Sequence, residues 1–310
     1  MKKGMIIHPD ELSVKWVDRL ADGGVEVLGI HPCGGQFSFK YIKEMLALIK
    51  TAEYRRLIDY AKARGLEIEY ELHGACWLLP RELFDTHPEY FRENEKGERT
   101  GDYNFCVSNE EALELAANRA AELALLLYGS NNNFYFWMDD GHGIHCHCEK
   151  CRRLSPSDQQ LLALNAFIRA IRREIPEAKL SYLAYMDSIG VPERVSPEEG
   201  IFLEYAPFEK YTAKGEDAPD LIKREKEMIL PLMRFFGGEK KLLEYWFDNS
   251  MFSNWQKPPR PFKLNREGMK ADLKEYKKDG FDYVSTFACF LGEDYETLYG
   301  EVDITPFAKG

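Results

Sequence analysis

Two adjacent aspartates, Asp139 and Asp140, close an apolar run at residues 134–138 and lead directly into Gly141. Neighbouring side chains on a strand point to opposite faces, so at its end one carboxylate can enter a site while the other leans along the loop. Like charges held this close push their pKa values apart, leaving one group ionised and the other a proton donor. Cleavage of a glycosidic bond requires that division of labour. An Asp-Asp-Gly triplet also serves as an ordinary turn or helix cap. Its place at the end of an apolar strand favours chemistry, with Asp139 and Asp140 as the catalytic pair.

A second cluster follows at once. Cys146, Cys148 and Cys151 stand in Cys-x-Cys-x-x-Cys spacing, with His145 and His147 interleaved. Thiolates at such spacing suit a closed tetrahedral zinc site. Cys106 is the candidate fourth ligand, with His145 or His147 as substitutes. The expected role is structural: the ion pins the loop that carries Asp140 and leaves catalysis without a cofactor. Three thiolates leave a zinc ion little Lewis acidity and no obvious open position, which disfavours a catalytic metal. A reduced, metal-free cluster is the competing reading.

Around these lies a set of polar and aromatic residues at or near the ends of short apolar runs. His8, His31, His73, His142, Tyr185, Glu204, Tyr205, Trp246 and Asp248 are the candidate substrate contacts. Trp77 and Trp255, with Trp246, are candidate stacking walls for sugar rings, whereas Trp16 and Trp137 read as core. Any one of these histidines alone is more often structural. A ring of polar groups at one end of a barrel, however, has no packing purpose.

The elements that must position them alternate regularly. Strands are expected at 5–7, 25–30, 66–72, 134–138, 180–185, 201–205, 242–247 and 281–287. Helical periodicity fills 13–21, 41–63, 110–127, 158–173, 223–236 and 266–278. Strand–helix alternation implies a parallel sheet, and eight strands in 310 residues imply closure. The fold expected is a single (β/α)8 TIM barrel over 1–310, with an extended excursion after strand three and the Cys/His-rich loop after strand four. No GxGxxG or phosphate loop opens a helix, which disfavours an open nucleotide-binding sheet.

The formal net charge of −11, from 52 acidic and 41 basic residues, argues against nucleic-acid and anionic-membrane partners. No apolar run approaches the roughly 18 residues of a membrane span, and no secretory-type run follows Met1. Seven cysteines, three of them crowded together, suit thiol ligands in a reducing compartment better than disulfides. A cytoplasmic location is the corresponding expectation.

Several stretches together resemble a known family. They are residues 83–91 (Leu-Phe-Asp-Thr-His-Pro-Glu-Tyr-Phe), 106–109, Asp139-Asp140-Gly141 with the cysteine cluster, Asn165, and Leu183-Ala184-Tyr185. Over about residues 66–207 the chain resembles the domain of unknown function 4838, which overlaps glycoside hydrolase family 163, a group of endo-β-N-acetylglucosaminidases. The acid pair is also similar to that of O-GlcNAc hydrolases and β-hexosaminidases, in which the substrate's own acetamido oxygen attacks the anomeric carbon. That resemblance implies a retaining, substrate-assisted mechanism. Asp139 would polarise the acetamido group, and Asp140 would act as general acid and then base. With no secretory run, a small oligosaccharide or glycoside is the expected substrate.

Two other readings compete. One is a metal-dependent isomerase, lyase or amidohydrolase-like barrel using His8, His31 and His73. The other is a carbohydrate-binding barrel without turnover.

Overall fold

The computed structural model describes residues 1–212 and 218–310. Eight parallel strands close on themselves in sequence order: β1 Lys2–Ile7, β2 Val27–Ile30, β3 Glu67–His73, β4 Asn133–Trp137, β5 Lys179–Ala184, β6 Ile201–Tyr205, β7 Lys240–Glu244 and β8 Tyr283–Phe287. Pairing of β8 with β1, Tyr283 opposite Lys2 through Phe287 opposite Ile6, completes the ring. The fold is a (β/α)8 barrel, as the alternation of elements predicts.

Helices α1 Val14–Gly23, α2 Ser38–Leu48, α3 Ala52–Ala63, α4 Ala75–Leu78, α5 Glu110–Leu126, α6 Pro156–Glu174, α7 Glu209–Thr212, α8 Ala218–Phe236, α9 Asn249–Phe252, α10 Arg266–Asp279 and α11 Glu293–Tyr299 occupy the connections. Local chemistry sets their starts. Thr51 caps α3 by accepting the Tyr54 N–H, which divides the single helix expected over 41–63 into α2 and α3. Ser155 and Asp158 form a reciprocal capping box at the start of α6, with Pro156 in its first turn. Along α5, Ala112, Ala116, Ala120 and Ala124 recur every four residues and are fully buried. Such a small-residue face permits close approach to α6. None of the described helices is long and apolar enough to cross a membrane.

Alternation along the strands separates two cores. Outward residues such as Met5, Leu28, Ile68, Phe136, Leu203 and Leu242 pack beneath the helices. Inward residues such as Ile6, Tyr135, Trp137, Leu183, Phe202 and Leu243 fill the barrel. Deep among them, Lys241 makes ion pairs with Glu71 (2.6 Å), Glu204 (3.0 Å) and Glu69 (3.6 Å), all four side chains being fully buried. Gly29 on β2 makes room for this layer: a Cβ there would sit 2.6 Å from Ile6 Cγ1 and 3.2 Å from Glu71 Oε1.

Strand seven differs from its expected span. Pairing begins at Lys240 and ends at Glu244, not over 242–247. Lys240 and Lys241 fall outside the expected span, yet Lys241 is drawn into the barrel by three carboxylates. The corrected span puts 241, 243 and 245 inside and 242, 244 and 246 outside.

Candidate active site

The C-terminal ends of the strands form the mouth of the barrel, and three histidines line one side of it. His8 follows β1, His31 follows β2, and His73 ends β3. Each directs its Nδ1 to a main-chain carbonyl on the next segment: His8 to His31 (2.9 Å), His31 to Glu71 (2.7 Å), His73 to Met138 (2.7 Å). A carbonyl only accepts, so each Nδ1 carries a proton, and in the neutral ring this tautomer leaves Nε2 as the acceptor. His8 Nε2 is buried without a hydrogen-bond partner. Burial, together with His73 and His8 beside it, holds the His31 pKa well below the ordinary imidazole value. The three rings lie edge to face or stacked, with centroids 5.9 to 6.4 Å apart.

Asp140 sits at the end of this row, half-buried, and its Oδ1 accepts the Tyr185 hydroxyl at 3.1 Å. Gly34 is packed against it: a Cβ there would fall 3.0 Å from Asp140 Oδ2 and 3.2 Å from the His73 ring. Asp139 turns elsewhere. Its Oδ1 accepts the Cys76 N–H at 2.9 Å, and its own N–H is held by Asn104 Oδ1 at 2.8 Å. Its Oδ2 is buried without a hydrogen-bond partner. Burial raises the Asp139 pKa, while the Cys76 N–H and the Arg81 charge pull it back. The two carboxylates therefore have different surroundings despite their adjacency. Asp139 lines a narrow cavity of about 50 Å³ shared with His73, Gly141, His145, Tyr185 and Asp187.

Other candidates divide by strand parity. Trp255 lies beside the mouth, 58% exposed, lining a second cavity with His8, Cys33 and Phe290. His142 is on the rim, its Nδ1 3.1 Å from Asp187 Oδ1. Asp248, just beyond β7, caps α9 through the Ser250 N–H (2.9 Å) and hydroxyl (2.6 Å).

Four candidates lie away from the mouth surface. Glu204 is fully buried inside the barrel, bound to Lys241 and to Trp137 Nε1 (3.1 Å). Tyr205 points outward and stacks on Phe281, with centroids 6.2 Å apart. Trp246 also points outward, donating to Asp272 at 3.0 Å and packing on Phe307. Trp77 packs between Phe39 and Arg119 on the helical layer. Sequence reasoning placed Tyr205 and Trp246 at the mouth because it lacked the inward–outward register.

Conversely, it missed Tyr245, which takes the inward position next to Trp246. Its ring lies 5.5 Å from Phe208 and 5.3 Å from Phe287, and both Asp140 and Asp248 contribute to its raised pKa after burial. It also missed Asn104, whose amide clamps the acid loop twice: Oδ1 to the Asp139 N–H and Nδ2 to the Ile144 carbonyl at 3.3 Å. The even–odd alternation of β7 carried the signal for the first. No spacing marked the second.

Cys106, Cys146, Cys148 and Cys151 converge beneath the loop, all buried, with their sulfurs within 4.8 Å of one another. Two separations, Cys106 to Cys148 and Cys106 to Cys151, are 3.7 and 3.8 Å. A tetrahedron with zinc–sulfur bonds of about 2.3 Å requires sulfur–sulfur edges of about 3.8 Å, so this donor set fits zinc. The Glu93 N–H reaches Cys146 Sγ at 3.4 Å, and the Ser108 hydroxyl lies 3.1 Å from Cys151 Sγ, an outer layer of the kind that steadies thiolates. His145 and His147 stay outside the set. Among the described residues these four cysteines are the one group of three or more metal-ligand side chains compact enough to share an ion. His8, His31 and His73 do not gather with a carboxylate in that way.

A family model described as Domain of unknown function (DUF4838) matches residues 38–223. The chain belongs to this family. The DUF4838 match spans β3 to β6 and thus includes the acid pair and all four clustered cysteines. No curated protein matches this chain significantly. Similar solved structures include the cold-adapted β-galactosidase of Rahnella sp. R3 (TM-score 0.55, 15% identity, 93% of this chain and 50% of that one). The β-galactosidase of the psychrophilic Marinomonas ef1 gives 0.58 and 12%, over 92% of this chain and 54% of that one. Endo-glycoceramidase II of Rhodococcus sp. gives 0.52 and 12%, over 93% and 73%. This chain thus spans about half the length of the two galactosidases, and at such identities the likeness is one of fold.

Proposed function

We propose that this DUF4838 member is a retaining glycoside hydrolase acting on N-acetyl-β-hexosaminides of small oligosaccharides or glycosides. The carrying observation is that two consecutive carboxylates at the end of β4 have separate surroundings. Asp140 is half-buried, accepts the Tyr185 hydroxyl and packs on Gly34 beside the His73 ring. Asp139 lines the narrow cavity with an unpartnered Oδ2. The similar solved structures named above, two β-galactosidases and an endo-glycoceramidase, share this fold, and the proposed chemistry is of their general kind.

In this reading a sugar ring sits in the mouth with its 2-acetamido group in the narrow cavity. Asp139 Oδ2 accepts the amide N–H and so directs the acetamido oxygen at the anomeric carbon. As that carbon–oxygen bond forms, the bond to the leaving oxygen breaks, and Asp140 delivers its proton to the leaving oxygen. Asp140, now a carboxylate, takes a proton from water, which opens the cyclic intermediate and restores the original anomeric configuration. The acceptor Nε2 atoms of His8, His31 and His73 suit sugar hydroxyls. Trp255 and Tyr245 offer aromatic faces, and His142 and Asp248 complete the rim.

Zinc belongs to this proposal as a structural ion. Cys106, Cys146, Cys148 and Cys151 would hold it as four thiolates with no open position, which would tie Cys106 of the β3 excursion to the loop after β4. Asn104, two residues before Cys106, passes that restraint to Asp139.

The test is a panel of aryl glycosides run on the wild type, Asp139→Asn and Asp140→Asn, with metal content measured on the same samples. The expected result is turnover of an N-acetyl-β-glucosaminide, both variants reduced about 10²-fold or more, and one zinc per chain in all three. Full activity in a folded Asp140→Asn protein would remove Asp140 as the acid. A labile metal whose loss abolishes activity while the loop stays ordered would return the histidine row to consideration.

A further inference from the structure

Beside the mouth lies a second, larger cavity of about 530 Å³, within the size range of sites that bury a small molecule. It is reached from Asp140 across two residues. Gly34 abuts the Asp140 carboxylate, and its neighbour Cys33 lines the cavity together with His8. Burial, with Asp140 and Asp248 nearby, pushes the Cys33 thiol up to about 11, so it presents an uncharged wall.

The rest of the lining is mainly apolar: Met45 and Leu48 from α2, Pro9, Pro32, Phe290 and the exposed ring of Trp255. The charged groups at its edge are already engaged. Lys257 lies 3.0 Å from Asp294 and 3.6 Å from Asp10, and Glu44 lies 3.8 Å from Lys40. A sugar needs many directed hydrogen bonds, and this wall offers few. A hydrophobic group needs only the area.

Backbone strain points to the same place. Among the described residues four non-glycine residues have φ between 47° and 62°, a conformation costly for bulky side chains. Trp255 and Phe290 line this cavity, Asn254 adjoins Trp255, and Met186 lines the narrow cavity. Strain of this kind persists where surrounding structure holds it, and it gathers at ligand-binding sites.

We infer that this cavity is the leaving-group subsite and takes a hydrophobic aglycone, aromatic or alkyl, so that the substrates are glycosides of apolar alcohols. The inference rests on the hydrolase reading: the sugar occupies the mouth, and the leaving oxygen lies at Asp140. The aglycone then extends over Gly34 and Cys33 towards Met45, Leu48 and Phe290. It departs as the free alcohol, carrying the Asp140 proton.

The experiment compares methyl and benzyl N-acetyl-β-D-glucosaminides, whose leaving alcohols are of similar acidity and differ in the apolar ring. The expected kcat/KM is about tenfold or more higher for the benzyl glycoside. Leu48→Trp, which fills the cavity from the half-buried end of α2, should bring the ratio towards one, and Trp255→Ala should lower it. Equal kcat/KM for the two glycosides in the wild type, or a ratio untouched in both folded variants, overturns the assignment. If neither glycoside turns over, the hydrolase reading fails separately, and saturation-transfer NMR on the benzyl glycoside decides the cavity. Transfer to the phenyl protons that Leu48→Trp abolishes supports the subsite, and no transfer to them overturns it.

Discussion

The barrel encloses two polar layers that look alike in composition and differ in what they face. In the deep layer, Lys241 is surrounded by Glu69, Glu71 and Glu204, with the Tyr135 ring 3.8 Å from its nitrogen. Burial opposes the ammonium charge, yet the carboxylates around it raise its pKa; burial likewise pushes Glu71 up to about 8. These groups answer one another. In the mouth layer, His8, His31 and His73 engage only one nitrogen each with the main chain, and Asp139 and Asp140 have separate surroundings. Buried charge by itself is thus no mark of a site. What separates the layers is position: the deep groups meet one another inside the barrel, whereas His73 and Asp139 line one cavity at the mouth and His8 lines another.

The deep layer breaks most easily through its one cation. Lys241→Met leaves three buried carboxylates without their counter-charge and should cost about 3–5 kcal/mol in urea unfolding at pH 7. The bereft carboxyls would hold protons in the folded state at a pH where the unfolded chain has lost them. Stability of the variant should therefore fall as pH rises above about 4.3. An unchanged unfolding midpoint would show that the layer is not an ion-pair network at all.

The mouth should respond differently, through geometry more than through stability. Asn104→Ala strips the Asp139 N–H of its partner and frees the Ile144 carbonyl, at about 1–3 kcal/mol. Turnover of an N-acetyl-β-glucosaminide should drop in the folded variant, and Asn104→Asp, which keeps the acceptor for Asp139, should recover part of it. Equal activity in Asn104→Ala and wild type would separate the clamp from the acid pair.

The smallest effect concerns His31. Its depressed pKa means that the folded protein keeps this imidazole neutral where the unfolded chain takes up a proton. The unfolded state then binds more protons, and stability declines as pH falls through about 6.5. His31→Gln should flatten that decline by about 1 kcal/mol between pH 7.5 and 5.5 in matched urea titrations. A parallel decline in both proteins would show that His31 is already charged in the fold.

The same contrast explains what the sequence disclosed. Eight apolar runs separated by helical periods made the barrel legible. The Cys-x-Cys-x-x-Cys spacing and Cys106 marked four thiols that do converge, because the excursion after β3 folds back against the loop after β4. The histidines at 8, 31 and 73 were legible because each closes an obvious strand. Glu204, Tyr205 and Trp246 were misplaced for different reasons. The charged start of β7 hid its register, which exchanges the two faces of a strand and turned Trp246 outward. The span of β6 was read correctly, but Tyr205 takes its outward face and Glu204, though inward, lies at the depth of Lys241. Lys241 was invisible because a lysine reads as exposed until three carboxylates from β3 and β6 are brought around it. Gly34 and Asn104 act through contacts across 106 and 35 positions of chain, from Gly34 to Asp140 and from Asn104 to Asp139, which no local pattern encodes.

One paired measurement addresses the central claim: turnover and thermal unfolding of Asp140→Asn beside Glu204→Gln, each removing one carboxylate charge, one from each layer. The account predicts that Asp140→Asn loses about 10²-fold or more in kcat with its unfolding temperature preserved. Glu204→Gln should lose stability while keeping its kcat per folded molecule. A stable, fully active Asp140→Asn, or a Glu204→Gln that is stable but inactive, would place the chemistry in the wrong layer and contradict the account.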